Sequence, residues 1–294
     1  VNKISIVGAG KVGSTLASIL FDNEFEIVSI ISRTKESAKK LGKLVRCKNI
    51  SISIKDISPQ TELLLLAVPD GALKNVDDEI AATSNLNFKK IIVAHVSGVH
   101  SVDVLSSLKK KGAKVAGIHP IQTFPRTLSI QQLKKNISHN IVFGIECEKK
   151  LQPTMKLLAK KMNGKSVFIS SELKPLYHLA CVVSSNFSVV LLKMLEEISA
   201  NFSSPNQWKE VFTPILHSSI KNALSTSPTS ALTGPFTRSD VNTIEMHLNA
   251  LQKFSPQLIS AYKELGILAI SIAKERGGIS EVEKRNILNV LRKK

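Results

Sequence analysis

Cysteine is scarce: Cys47, Cys147 and Cys181 are odd in number, far apart and form no Cys-x-x-Cys pair in a chain of 294 residues. They cannot supply a disulfide framework or a thiolate zinc site, so no metal is expected and a reducing, cytoplasmic setting is. Aromatic residues make up only 5%, which removes the stacking platforms of nucleic-acid binders. Acidic residues are outnumbered 23 to 40, a formal charge of +17, yet 33 of the cations are Lys, only 7 are Arg, and they are spread over both halves. Such a charge fits a solvated surface with a mild pull on anionic small molecules, and no nucleic-acid partner is expected. No apolar run is read as reaching the roughly 18 residues of a membrane span; even 179–195 is interrupted by Ser184, Ser185, Asn186 and Lys193. The start, Val-Asn-Lys before a strand-like Ile-Ser-Ile-Val, does not look like a secretion signal.

What is present is 43% hydrophobic residues, enough for two packed domains. Eight short apolar runs predict strands at Lys3–Val7, Glu26–Ile31, Ser51–Ile54, Leu63–Val68, Ile91–Val96, Lys114–Ile118, Ile141–Ile145 and Ser166–Ile169. Several are unbroken β-branched or Leu stretches, as parallel strands buried on both faces require, and helix-period segments fill the gaps. The fold class is therefore α/β, with a mostly parallel N-terminal sheet. After about residue 170 only helical signals remain. Ser171, Ser204, Ser255 and Ser280 precede apolar-periodic runs, Pro205 and Pro256 take first-helical positions, and Ser280 with Glu283 forms a capping box. The expected division is 1–170, a nucleotide-binding domain, and 171–294, a helical domain for substrate and dimerisation.

Gly8-Ala9-Gly10-Lys11-Val12-Gly13 follows the first strand and opens a helix. Gly8 permits the tight turn, Gly10 lets a pyrophosphate reach backbone N–H groups, and Gly13 lets helix and strand pack closely. An NAD site wants an acid at the end of the second strand; here that strand ends in Ser32-Arg33-Thr34. Arg33 can pair with a 2′-phosphate and the hydroxyls of Ser32 and Thr34 can add to it, so NADP(H) is the expected cofactor. Val68-Pro69 and Ser97-Gly98 end two further strands, and His119, in Gly-Ile-His-Pro, ends another. These positions fall in the crevice where open α/β sheets hold ligands.

From Lys174 to Ser199 the apolar positions run nearly all the way round a helix, which predicts burial. At 100° per residue Lys174, His178 and Ser185 fall within about 40° of one another, with Asn186 one step round. Lys174 or His178 could protonate the product of hydride transfer, with Asn186 beside it. Further on, Thr233, Gly234 and Arg238 precede a helix capped by Ser239 or Asp240, an arrangement suited to a carboxylate. His119, Ser185, Thr233 and Arg238 are the substrate candidates.

With Gly-Ala-Gly-Lys-Val-Gly at 8–13, Ser-Gly at 97–98, Gly-Ile-His-Pro-Ile-Gln-Thr-Phe at 117–124, Tyr177-His178, Ser185-Asn186 and Ala-Leu-Thr-Gly-Pro at 231–235 followed by Arg238, Asp240 and His247, the chain resembles a two-domain Rossmann-type family with a helical C-terminal domain. Some members are an alternative type of ketopantoate reductase. It is more distantly similar to the 6-phosphogluconate dehydrogenase and pyrroline-5-carboxylate reductase group, where a Lys and an Asn four residues on serve the reacting carbonyl; Lys174 matches the Lys, but His178 stands where the Asn would be. The resemblance implies an NADPH-dependent reductase, acting first of all on 2-dehydropantoate in pantothenate synthesis. An imine reductase and a non-catalytic NADP-binding regulator are the alternatives, and a homodimer through the helical domain is expected.

Overall fold

The run Leu63–Leu66 is buried throughout and becomes β4, a central strand of an eight-stranded sheet. In the computed structural model, which describes all residues except 83–85, 138–140 and 294, the other strands are β1 (Lys3–Val7), β2 (Glu26–Ile31), β3 (Ile50–Ser51), β5 (Ile92–His95), β6 (Lys114–Pro120), β7 (Ile141–Cys147) and β8 (Gly164–Phe168). Their order is β3-β2-β1-β4-β5-β6-β7-β8. Every neighbouring pair is parallel except β6 and β7. β1 and β2 keep the expected limits, and the other six strands differ from them at one or both ends by up to three residues. β3 stops at Ser51 because Ser53 accepts from Lys55 N–H and starts a 3-10 turn, Ile54–Asp56, and β8 begins at Gly164.

Helices α1 (Lys11–Asp22), α2 (Lys35–Leu44), α3 (Leu73–Ala81), α4 (Ser106–Lys110), α5 (Ile130–Ile137) and α6 (Gln152–Lys161) connect the strands. Alternation along each strand divides the core in two. Ile4, Ile6, Leu63 and Leu65 pack with Leu16 and Leu20 of α1, while Val7, Leu64 and Leu66 pack with Leu73 and Ile80 of α3. The chain reverses its direction of travel across the sheet between β1 and β4. At that switch point Gly8 N–H donates to Ile31 O (2.8 Å) and Ala67 N–H to Val7 O (2.7 Å), which fixes the loops that leave the carboxyl ends of the strands.

After β8 all described elements are helical: α7 (Lys174–Val182), a π-helical segment Val183–Phe187, α8 (Ser188–Ser199), α9 (Gln207–Ser225), α10 (Pro228–Ala231), α11 (Val241–Phe254), α12 (Ile259–Glu275) and α13 (Glu281–Arg292). The chain forms two compact units, Val1–Ser185 and Asn186–Lys294, so the unit that holds the sheet continues beyond residue 170 and includes α7. The second unit has its own core of Ile244, Ile270, Ile287, Val290 and Leu291, drawn from α11 to α13. Ser280 and Glu283 form a capping box at α13. Pro205 lies outside α9, which opens after Asn206 in a left-handed conformation (φ 67°), one that Asn tolerates better than most residues.

Two expectations are corrected here. The run from residue 174 is not buried: Leu176, Leu179, Val183, Phe187, Val189, Val190 and Leu191 are 49–65% exposed, because nothing in a single chain covers them. Ser171–Ser199 is also long and apolar enough, by length and composition alone, to cross a membrane, since an 18-residue stretch within it has a mean hydropathy of 1.6. The polar residues at 184–186 interrupt that run without lowering its mean far enough.

Candidate functional site

A cleft of about 620 Å³ opens where β1, β2 and β4 end, lined by Gly8, Gly10, Lys11, Val12, Ser32, Arg33, Thr34, Val68 and Pro69. The three glycines of the β1–α1 loop, of which Gly8 and Gly10 line the cleft, have different reasons to be there. Gly8 has φ +105° and a Cβ on it would lie 2.2 Å from Ala67 O; a Cβ on Gly13 would lie 2.0 Å from Gly8 O; a Cβ on Gly10 would meet nothing within 4 Å. The first and third are demanded by packing, and the second faces open space. The N-terminus of α1 has no side-chain cap and no acid in its first turn, so its N–H groups are left for an anion.

The side chains around this loop are unevenly committed. Thr34 caps α2, accepting from Ser37 N–H (3.4 Å) and donating to Ser37 Oγ (2.8 Å). The Lys11 ammonium donates to Leu128 O, which ties down the stretch that carries Phe124 and Arg126, both also in the cleft lining. Arg33 and Arg126 have no hydrogen-bond or ion-pair partner among the described residues. Glu79 of α3 is the one carboxylate in the lining among those residues.

Val96 carries the lining to the end of β5, and the two residues after it leave the cleft for a histidine cluster. A Cβ on Gly98 would lie 2.6 Å from His178 Cδ2 and 2.9 Å from His119 Nε2, so both imidazoles press on this glycine, with ring centroids 6.3 Å apart. The first turns of α7 deliver the other partner, for Tyr177 Oη lies 2.7 Å from His119 Nδ1. Gly144 makes the room, since a Cβ there would come within 2.2 Å of the phenol oxygen. Burial, then the charges of Lys174 and His178, bring His119 down to about 4. Burial, with Cys181 adding to it, raises Tyr177, which therefore remains a phenol.

Lys174 is only 1% exposed and does not open onto the cleft. Its Nζ donates to Ser97 O (3.2 Å) and stands 3.6 Å from Glu146 Oε2, an ion pair too long for a hydrogen bond. Burial lowers its proton affinity and Glu146 opposes the effect. Glu146, buried on β7, accepts from Val102 N–H (3.0 Å) and Ser171 Oγ–H (2.6 Å). His95, fully buried on β5, accepts from Ser97 N–H through Nδ1 (3.2 Å), and burial with the Lys174 charge brings it down to about 3. Lys174, expected together with His178 as a candidate proton donor, thus has its ammonium enclosed within the sheet-containing unit.

Among the sequence candidates, then, the structure gathers Ser97, Gly98, His119, Lys174 and His178 in one place. Ser185 spends its hydroxyl on Cys181 O (2.6 Å). The π-helical segment departs from 100° per residue, so the polar line from Lys174 does not run on to Ser185 and Asn186 at that spacing. Asn186, Thr233 and Arg238 belong to the second unit. There Arg238 ends a 3-10 turn, Pro235–Arg238, and Asp240 caps α11 by accepting from Thr243 N–H (3.0 Å). Glu146, Tyr177 and Arg126 were missed as site residues. Glu146 had a signal, being a lone carboxylate in the apolar run Ile-Val-Phe-Gly-Ile-Glu; Arg126 had none.

A model of a Rossmann-like domain matches residues 2–120, and a model described as a domain of unknown function, DUF2520, matches residues 141–268. No curated protein matches the chain. Among solved structures, an inferred NADP oxidoreductase from Bacteroides fragilis is similar at 23% identity, over 92% of this chain and 98% of that one, with a TM-score of 0.75. A protein from Thermotoga maritima is similar at 24% identity, over 93% and 99%, with a TM-score of 0.71. An imine reductase from Myxococcus stipitatus, crystallised with NADP+, is similar at 12% identity, over 99% and 100%, with a TM-score of 0.65. At these identities the likeness is one of fold.

Proposed function

We propose that this chain, a Rossmann-like domain continued by a DUF2520 domain, is an NADPH-dependent reductase of a small oxo- or imino-carboxylate, with 2-dehydropantoate as the leading substrate and pantothenate synthesis as the implied pathway. The observation that carries the reading is the cleft at the switch point, where an open-faced Gly10 stands among two unengaged arginines and the lining leads by Val96 to the histidine cluster. Gly8, Gly10 and the N-terminus of α1 would hold the pyrophosphate, and Ser32 and Arg33 the 2′-phosphate. NADPH would supply a hydride to a polarised carbon. The imidazoles of His119 and His178 are the groups able to hydrogen-bond the accepting oxygen or nitrogen. The fold likeness to proteins described as an NADP oxidoreductase and an NADP+-bound imine reductase supports the class.

Burial of Lys174 favours a second reading, reduction of an imine. An imine nitrogen can arrive already protonated and depends less on a lysine than an alkoxide does. Incubation with NADPH and a panel of 2-oxo acids and cyclic imines, followed by loss of the reduced-nicotinamide absorbance, separates these readings; tight binding without turnover of any of them would make the chain a regulator. Arg33→Asp is expected to weaken NADPH binding about 10- to 100-fold, the worth of a charged hydrogen bond, and NADH binding little. Equal losses for the two cofactors would remove the NADP assignment.

A second copy of the chain is proposed as the partner of α8 and α9. Val189, Val190 and Leu191 on α8 and Val211, Ile215, Ile220 and Leu224 on α9 are all about half exposed or more, and α9 buries none of its residues. That is more apolar surface than a monomer ordinarily shows. Sedimentation is expected to give a dimer, dissociated by Leu191→Glu with Ile215→Glu; a wild-type monomer, or flotation with lipid vesicles, would exclude it. The three free thiols fit the proposed reducing, cytoplasmic setting.

A further inference from the structure

The reductase reading leaves Lys174 with no direct task, although burying an ammonium is costly. The groups around it show where its charge is felt. Its Nζ would meet a Cβ on Gly117 at 3.1 Å, and His119, two residues along β6, is on the same face of that strand. Its one hydrogen-bond acceptor among the described residues is Ser97 O, in the turn whose next residue, Gly98, touches both imidazoles. Glu146 stands opposite Gly117 across the β6–β7 pair, and Gly144, which accommodates Tyr177, stands opposite His119. One buried ion pair thus underlies the turn, the strand and the helix that together place His119.

We infer that Lys174 is a positioning residue that acts through His119: sealed with Glu146 beneath Ser97–Gly98 and Gly117, its ammonium fixes the turn and the strand that hold the imidazole, which then presents Nε2–H to the hydride-accepting atom. The last clause rests on the reductase reading; the coupling of Lys174 to His119 does not. The proposed tautomer has Tyr177 as the donor: with its O–H given to Nδ1, the single proton of a neutral imidazole stands on Nε2. A neutral imidazole in such a place is an electrophilic hydrogen-bond donor rather than an acid. The charged and titratable groups that bear on His119 are Lys174, Tyr177 and His178 of α7, His95 of β5 and Asp70, from the turn after β4, with Asp70 alone favouring the charged ring.

The test is nitrogen-detected imidazole NMR on the full chain, with the His119 signals identified by their loss in His119→Gln. The variants are Lys174→Met and, to spare the fold an unpaired carboxylate, Lys174→Met with Glu146→Gln. Wild-type His119 is expected to be the Nε2–H tautomer at neutral pH and to titrate near 4. In the variants its midpoint is expected to rise by about one pH unit, part of the way to the ordinary value, since burial persists. The acid limb of NADPH oxidation should rise by the same amount, with kcat at neutral pH held to within about tenfold, because a lost general acid would cost about 10²–10⁴-fold. A His119 midpoint that stays put in the folded double variant, or an Nδ1–H tautomer in the wild type, overturns the inference. So does a thousandfold loss of kcat at every pH. If the wild type reduces none of the substrates offered, the reductase reading fails by itself, and the imidazole titration still decides the coupling.

Discussion

Glu146→Leu is expected to destabilise the sheet-containing unit by about 3–5 kcal/mol, the usual cost of removing one member of a buried ion pair. The substitution strands three donors at once. Val102 N–H and the Ser171 hydroxyl lose their acceptor, and the Lys174 ammonium loses the only carboxylate within 4 Å of it among the described residues. An uncompensated buried charge dominates that sum. Lys174→Met combined with Glu146→Leu should therefore be much milder than either change alone, since two apolar side chains of similar volume need no partners. Urea unfolding of the four members of the cycle, followed by circular dichroism, measures the coupling. A loss below about 1 kcal/mol for Glu146→Leu would mean that the pair is solvated in practice and that Lys174 has no fixed place.

Gly10→Val is expected to leave the melting temperature almost unchanged and to weaken NADPH binding more than about 100-fold, or about 2.7 kcal/mol. The backbone at Gly10, φ −77° and ψ −172°, is extended and open to any residue, and the new side chain would enter space with no atom within 4 Å of its Cβ. That space is the cleft itself. Gly13→Ala is the contrasting case: its Cβ would fall 2.0 Å from Gly8 O, so backbone must move and the cost appears in stability, about 1–3 kcal/mol or more. Thermal unfolding and a fluorescence titration with NADPH, done on both variants, separate the two effects. A folded Gly10→Val that binds NADPH as the wild type does would take the cofactor away from this loop.

Much of the fold was legible because it depends on local pattern. A run such as Leu63–Leu66 can be satisfied only by a strand covered on both sides, and Ser280 with Glu283 is a cap wherever the chain goes next. Strand limits were less legible where a side chain competes with the ladder, as Ser53 does at the end of β3. The exposure of α8 was not legible at all. A helix apolar on most sides reads the same whether its cover comes from its own chain, from another chain or from lipid.

The sequence by itself determined the doubly wound sheet, the change to an all-helical second half and a glycine loop fit for a dinucleotide, since each rests on periodicity or on the absence of a Cβ within a few residues. Only the tertiary structure decided the roles of the ionisable groups. Lys174 and Glu146 are 28 positions apart in sequence, and Ser97, His119 and Tyr177 come from two strand ends and a helix that meet only once the sheet has closed in its β5-β6-β7 order. A lysine at the start of a helix was chemically open to being a solvated cation or a proton donor. It became a buried counter-ion because β7, antiparallel to β6, brings a carboxylate opposite Gly117, where a missing side chain leaves room for its ammonium.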